Sequence, residues 1–126
     1  MKKVIATDKA PAAVGPYSQA IRAGSFLFCS GQIPVDPSTG QFVEGGVEQQ
    51  AEQVLRNVKA VLEGAGYSLS DVIKATVFAV NMADFAAVNG VYARFFEKEP
   101  PARSFVEVGA LPKGALVEVE VVAWKE

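Results

Sequence analysis

The architecture can be predicted from residues 47–80, VEQQAEQVLRNVKAVLEGAGYSLSDVIKATVFAV, where a helical pattern is followed by a strand pattern. The apolar positions that recur at helical spacing are Val47, Ala51, Val54, Leu55, Val58, Leu62 and Ala65. Gly66, just beyond this series, is a typical helix stop. Residues 72–80 are mostly apolar and include β-branched side chains, which favours a strand. A helix over residues 47–65 and a strand over residues 72–80 are therefore expected.

A second helix is predicted after this strand. Asn81 is a suitable N-cap, and the prolines at positions 100 and 101 would end the helix. The apolar side chains that would share one face of this helix are Phe85, Val88, Tyr92, Phe95 and Phe96.

Three further strands are predicted outside the two helices. Residues 25–30 are apolar and are closed by Gly31, and residues 103–108 follow the prolines. Residues 117–124 begin with Val and Glu in strict alternation, which is typical of a strand with one buried face. The order of strands, helix, strand, helix and strands predicts an α+β fold, with two helices packed on one face of a mixed sheet. A single domain over residues 1–126 is expected.

The other face of this sheet cannot also be covered by two helices. Phe26, Phe28, Phe78 and Val80 would share strand faces there, and such an apolar surface is rarely left in water. We therefore expect a homo-oligomer that buries the second face.

The composition excludes several classes of function. The chain has 12 Lys and Arg against 14 Asp and Glu, with a net charge of -2 and no basic run longer than Lys2-Lys3, so nucleic acid is not an expected partner. No apolar stretch has the length of a signal peptide or a membrane span, so a cytoplasmic location is expected. The chain has no His and one Cys, which removes the commonest general base and metal ligand and any intrachain disulfide. Chemistry without His and without a metal favours a substrate that is already reactive.

Arg103 is the first candidate for a binding residue. Its guanidinium offers a fork of donors that matches a carboxylate, and it would share a strand face with Phe105. Spacing alone equally allows a structural ion pair with Glu107, Glu118 or Glu120.

Glu118 and Glu120 lie two apart on one strand face, so one of them could be desolvated and act on protons or water. Alternating Glu and Val is also what an ordinary half-exposed strand contains. Tyr17 and Ser30 are weaker candidates by themselves, and Cys29 is expected to be an inert core thiol that faces the helices.

Five segments stand out along the chain: residues 15–20 (GPYSQA), 30–34 (SGQIP), 89–96, 101–104 (PARS) and 111–114 (LPKG), with Glu118 beyond them. Together and in this order they resemble the RidA family of reactive intermediate deaminases. The similarity covers essentially the whole chain. It implies a homotrimer of chorismate-mutase-like subunits with three pockets at the subunit interfaces, consistent with the uncovered sheet face.

The resemblance also implies an activity that needs no cofactor. This activity is the hydrolysis of 2-imino acids, such as 2-iminopropanoate and 2-iminobutanoate, to 2-keto acids and ammonia. The imines arise from enamines that pyridoxal phosphate-dependent dehydratases release. Arg103 would bind the substrate carboxylate, the Phe105 backbone would contact the carboxylate or imine nitrogen, and Glu118 would position the attacking water. The residues that would line the pocket are Tyr17, Ser30, Gly31 and Asn89.

Position 105 departs from the family's pattern, because relatives often have a small residue where this chain has Phe. A ring there would narrow the pocket or change the preference among imino acids. The alternative from another class is a non-catalytic module that senses a keto acid through Arg103. An endoribonuclease or translation inhibitor role is disfavoured by the acidic balance, and a chorismate mutase role would rest on the fold alone.

Overall fold

The computed structural model describes residues 1–126 and contains one six-stranded sheet and two α-helices. The strands are β1 (Lys2–Ile5), β2 (Ala20–Ala23), β3 (Phe26–Gln32), β4 (Val72–Ala79), β5 (Ala102–Glu107) and β6 (Val117–Trp124), and the helices are α1 (Val47–Gly64) and α2 (Phe85–Phe95). Short 3₁₀ turns span Leu69–Asp71, Met82–Asp84 and Pro112–Gly114. Neither α-helix combines the length and the apolar character that crossing a membrane requires.

The strand order in the sheet is β1-β2-β3-β6-β4-β5. Strands β4 and β5 run parallel and are connected through α2, whereas every other neighbouring pair is antiparallel. The mixed sheet expected from the sequence is therefore confirmed. The last strand of the chain, β6, lies in the middle of the sheet between β3 and β4.

Helix α1 ends as its sequence predicts. Gly66 adopts a positive φ of 83°, and the Tyr67 amide donates to the Leu62 carbonyl over 2.9 Å, which closes the last turn. At the start, the Gln49 side chain accepts a hydrogen bond of 2.9 Å from the Gly46 amide. Neither of these end contacts uses a charged side chain.

The core lies between the sheet and the two helices. Alternate residues of β6 are buried beneath the helices, and so are Leu27 of β3 and Ala75 and Val77 of β4. From α1 the fully buried residues are Val54, Leu55, Val58, Val61 and Leu62. Burial of each such side chain contributes about 1.5 to 3 kcal/mol. The prediction that both helices cover one face is confirmed.

The other face of the sheet is open and apolar. Phe26, Phe28 and Trp124 lie on it with exposed fractions of 42%, 49% and 41%. The two Phe rings lie 6.1 Å apart, and Phe26 pairs with Trp124 in the register of β3 and β6. Phe78 lies on the same face, next to Glu118 of β6. An isolated chain therefore leaves large aromatic side chains in water.

Strands β1 and β2 were not predicted from the sequence. They have four residues each, and β1 contains two lysines, so neither has a recognisable pattern. They pair with each other, and β2 continues into β3 through a tight turn in which Gly24 has a φ of 61°.

The capping role predicted for Asn81 is confirmed. Its side chain accepts a hydrogen bond of 2.9 Å from the Ala83 amide, at the 3₁₀ turn that leads into α2.

Candidate functional site

A cleft of about 760 Å³ brings together four of the predicted site residues. Its walls are the loop before β2, the end of β3 and the turn before β6, and Tyr17, Ser30, Gly31 and Glu118 all line it. These residues are far apart in the sequence, so the tertiary fold is what makes them neighbours.

Gln19 fixes the wall formed by the N-terminal loop. Its side-chain oxygen accepts a hydrogen bond of 2.6 Å from the Thr7 amide, and its side-chain nitrogen donates to the Pro11 carbonyl over 2.8 Å. Only 4% of Gln19 is exposed, so water competes little for these bonds. Sequence reasoning missed this role, although Gln19 belongs to one of the segments that carry the family resemblance.

The carboxylate of Glu118 lies directly against the backbone of Gly31. A Cβ atom at position 31 would overlap the carboxylate, so only glycine permits this approach. The register between β3 and β6 shifts here, between Cys29 and Gln32, which turns the backbone of Ser30 and Gly31 out of the regular ladder. The Ser30 hydroxyl donates to the Ser18 carbonyl over 2.6 Å and keeps its lone pairs available to a ligand.

Glu118 has a raised proton affinity. Burial raises the pKa of its carboxyl, and the neighbouring charge of Glu120 raises it further. Both carboxylates line the cleft. Glu118 is therefore the desolvated member of the pair, whereas Glu120 is exposed. A carboxylate of this kind can accept a proton from water and return it.

Arg103 lies outside this cleft, against α2. Its Nη1 donates to Asn89 Oδ1 over 2.6 Å. Its guanidinium carbon lies 4.8 Å from the centre of the Tyr92 ring, 5.4 Å from that of Phe105 and 5.8 Å from that of Phe85. Phe105 and Phe85 in turn pack edge to face at 4.8 Å. Arg103, Asn89 and Phe105 thus form a second group of predicted site residues.

The structural ion pair that spacing allowed for Arg103 is not formed. The salt bridges of the chain are Arg56 with Glu52 at 2.7 Å and Arg94 with Glu52 at 2.9 Å. Glu107 instead accepts a hydrogen bond of 2.7 Å from the Met82 amide. The positive charge of Arg103 therefore has no carboxylate partner and remains available to an anion.

The two groups of site residues lie on opposite faces of the sheet. Arg103 is adjacent to Ala75 of β4, which is fully buried beneath the helices. Glu118 is adjacent to Phe78 of the same strand, whose side chain points to the open face. One chain therefore does not bring Arg103 and Glu118 to a common ligand.

Two further residues contribute to these groups and were not predicted as site residues. Tyr92 was expected only on the apolar face of α2, where it is indeed buried. Burial raises the pKa of its hydroxyl, and the charge of Arg103 partly opposes that effect. Lys113 lines the cleft in a left-handed backbone conformation with a φ of 57°. Both residues lie in segments that carry the family resemblance, but their spacing alone does not identify them as site residues.

The comparisons with known proteins all match one family, under descriptions that differ in the activity they name. The family model described as Endoribonuclease L-PSP matches residues 7–125. A RutC family protein of Pyrococcus horikoshii is 58% identical over 126 residues, which are 100% of both chains. The 2-iminobutanoate/2-iminopropanoate deaminase of Mus musculus is 46% identical over 123 residues, covering 98% of this chain and 91% of the mouse protein. A Yersinia pestis crystal structure, described as a member of the conserved Rid protein family, has a TM-score of 0.95 and 51% identity, covering 99% of this chain and 100% of that one. The chain belongs to the RidA family, also called YjgF-like.

Proposed function

We propose that this protein is a deaminase that hydrolyses reactive 2-imino acids, such as 2-iminopropanoate and 2-iminobutanoate, to 2-keto acids and ammonia. The observation that carries the proposal is Arg103, a half-buried guanidinium with no carboxylate partner in the chain. The mouse relative with that named activity matches almost the whole chain and supports the same choice.

In this proposal Arg103 binds the carboxylate of the imino acid. A guanidinium has five N–H donors, and only one bond to a protein acceptor, Asn89 Oδ1, is made. Its remaining donors can form a bidentate pair with a carboxylate, which fixes both position and orientation. The Phe105 backbone would contact the carboxylate or the imine nitrogen, and the Phe105 ring would restrict the substrate side chain.

Glu118 would position the attacking water. One water molecule adds to the carbon of the protonated imine and passes a proton to the Glu118 carboxylate, which gives a neutral carbinolamine. Glu118 then returns this proton to the amino nitrogen. As the C–N bond breaks and the C=O bond forms, the hydroxyl of the carbinolamine gives its proton to Glu118, which passes it to the departing ammonia, so that protonated imino acid and water become keto acid and ammonium. The raised pKa of Glu118 suits these proton transfers. A protonated imine is electrophilic, so orientation and one proton relay suffice.

A site of this kind needs two copies of the chain. Arg103 and Glu118 lie on opposite sheet faces, and the open face exposes Phe26, Phe28 and Trp124. We propose a homotrimer in which each open face is covered by a neighbour, so that the cleft with Tyr17, Ser30, Gly31 and Glu118 meets the Arg103 group of the next subunit. Three equivalent pockets would result.

The test couples this protein to a Ser or Thr dehydratase and follows the release of keto acid from the imine. Acceleration over buffer is expected, with Arg103→Ala as the inactive control. Absence of acceleration by a folded protein that still binds 2-ketobutyrate would contradict the deaminase and favour the keto acid sensor instead. Light scattering at micromolar concentration tests the trimer, and a monomer would contradict it.

A further inference from the structure

Three aromatic rings surround the guanidinium of Arg103, and the ring of Tyr92 is the closest of them. The guanidinium carbon lies 4.8 Å from the centre of the Tyr92 ring, within the range of a cation–π contact. On α2, the Tyr92 ring also packs against Phe96 at 4.7 Å, and only 6% of Tyr92 is exposed. The ring is therefore held by its own packing and presents a fixed surface to Arg103.

The Tyr92 ring takes the place of the carboxylate that usually partners a half-buried arginine. A carboxylate partner would occupy the guanidinium fork and cancel its charge, whereas an aromatic face attracts the cation and leaves the N–H donors free. Asn89 adds a neutral acceptor at 2.6 Å, which sets the rotation of the fork. Arg103 is thus oriented by neutral groups alone.

The hydroxyl of Tyr92 does not explain the residue's placement. It is the one buried side-chain polar atom of the chain without a hydrogen-bond partner, so within the chain its burial costs free energy and does not stabilise the fold. The face of the ring is the feature that contacts Arg103, and a phenylalanine ring would offer the same face.

We propose that Tyr92 is a positioning residue, whose ring holds the Arg103 guanidinium in place for a substrate carboxylate. The inference rests on the proposed function, in which Arg103 binds that carboxylate. Tyr92 itself need not touch the substrate, because it acts through the orientation of Arg103.

The experiment compares Tyr92→Phe, which keeps the ring, with Tyr92→Leu and Tyr92→Met, which remove it; the Met variant keeps more side-chain length in case the Leu variant does not fold. The first readout is the NMR signal of the Arg103 side-chain N–H groups, assigned with Arg103→Lys, because a ring below the guanidinium shifts these protons. The second readout is the affinity for 2-ketobutyrate by calorimetry. We expect the Phe variant to retain both the Arg103 N–H shifts and the affinity for 2-ketobutyrate. The ringless variants should lose the part of the shift that Tyr92 causes, since the Phe85 and Phe105 rings remain, and should bind 2-ketobutyrate about tenfold more weakly.

An unchanged Arg103 signal in a folded ringless variant would overturn the inference, and so would an equal loss in the Phe variant. The NMR readout separates this inference from the proposed function. If the wild-type protein neither hydrolyses imines nor binds 2-ketobutyrate, the deaminase and the sensor both fail, and the Arg103 signal still decides whether Tyr92 positions the guanidinium.

Discussion

Arg103 and Glu118 lie on opposite faces of one sheet, separated in the strand order by β4. Arg103 belongs to the helix-covered face and contacts Asn89, whereas Glu118 belongs to the open face and lies against Gly31. A reaction that uses both side chains on one small molecule therefore requires a second copy of the chain.

Arg103→Ala should abolish imine hydrolysis while the protein stays folded. Because Arg103 makes no salt bridge, its removal leaves no carboxylate of the protein buried without a partner, and the fold should persist. The substrate carboxylate, in contrast, loses a contact that contributes about 2 to 5 kcal/mol. The measurement is kcat/KM together with a thermal denaturation curve. Arg94→Ala is the matched control, because Arg94 forms an exposed pair with Glu52 and should leave kcat/KM unchanged. Unfolding of the Arg103 variant would instead indicate a structural role.

Glu118→Gln should reduce kcat by about 100-fold or more, because the side chain can no longer accept a proton. Glu120→Gln is the control, with a smaller effect expected, since Glu120 is exposed and acts only through its charge. A larger loss of kcat in the Glu120 variant would contradict the assignment of Glu118 as the proton-transfer group.

The same Glu118→Gln variant should change how stability depends on pH. The folded-state pKa of Glu118 lies above its ordinary value, so between those two values the native state binds more protons than the unfolded state. Stability therefore falls as pH rises through that window, and the uncharged Gln removes this contribution. Thermal denaturation from about pH 5 to about pH 8 should give a flatter profile and a higher Tm at neutral pH for the variant. A lower Tm at neutral pH would mean that the carboxylate stabilises the fold.

Gly31→Ala should lower kcat by about 10-fold to 100-fold, because the added methyl group displaces the Glu118 carboxylate. Gly90→Ala is the control: position 90 lies within α2 with open space around it, and the change should stabilise the protein by about 0.5 to 1 kcal/mol without loss of activity. Full activity in the Gly31 variant would show that the close approach of the carboxylate has no catalytic role.

Cys29 should be inert toward thiol reagents in the native protein. Burial raises the pKa of its thiol to about 12, and the side chain faces the core as the sequence predicted. At about pH 8, modification should be slower than that of a free thiol by about three orders of magnitude and should become fast in guanidinium chloride. Rapid reaction without denaturant would contradict the burial of this residue.

Much of the fold could be predicted because local patterns match tertiary burial. The periodic apolar positions of α1 and the alternation of Val117, Val119 and Val121 in β6 correspond to the faces that are buried. Strands β1 and β2 could not be predicted, because a four-residue strand carries too little pattern and forms only through its partner.

The candidate site was less predictable because its geometry depends on long-range contacts. Arg103 and Glu118 could be singled out as residue types, yet their opposite orientation depends on the strand order and on the register of β4 with both neighbours. Gln19 holds the N-terminal loop by a hydrogen bond to Thr7, and the Tyr92 ring contacts the Arg103 guanidinium. Both contacts join residues that are distant in the sequence, so spacing in the sequence does not reveal them.

The most direct test mixes two inactive variants. Arg103→Ala and Glu118→Ala are unfolded together in equal amounts, refolded as mixed trimers and assayed for imine hydrolysis. If each site takes Arg103 from one subunit and Glu118 from its neighbour, about one quarter of the sites should combine two intact side chains and regain activity. Refolding each variant separately is the control. Recovery to about one quarter of wild-type activity is the predicted result, and a mixture no more active than either variant alone would contradict the shared site.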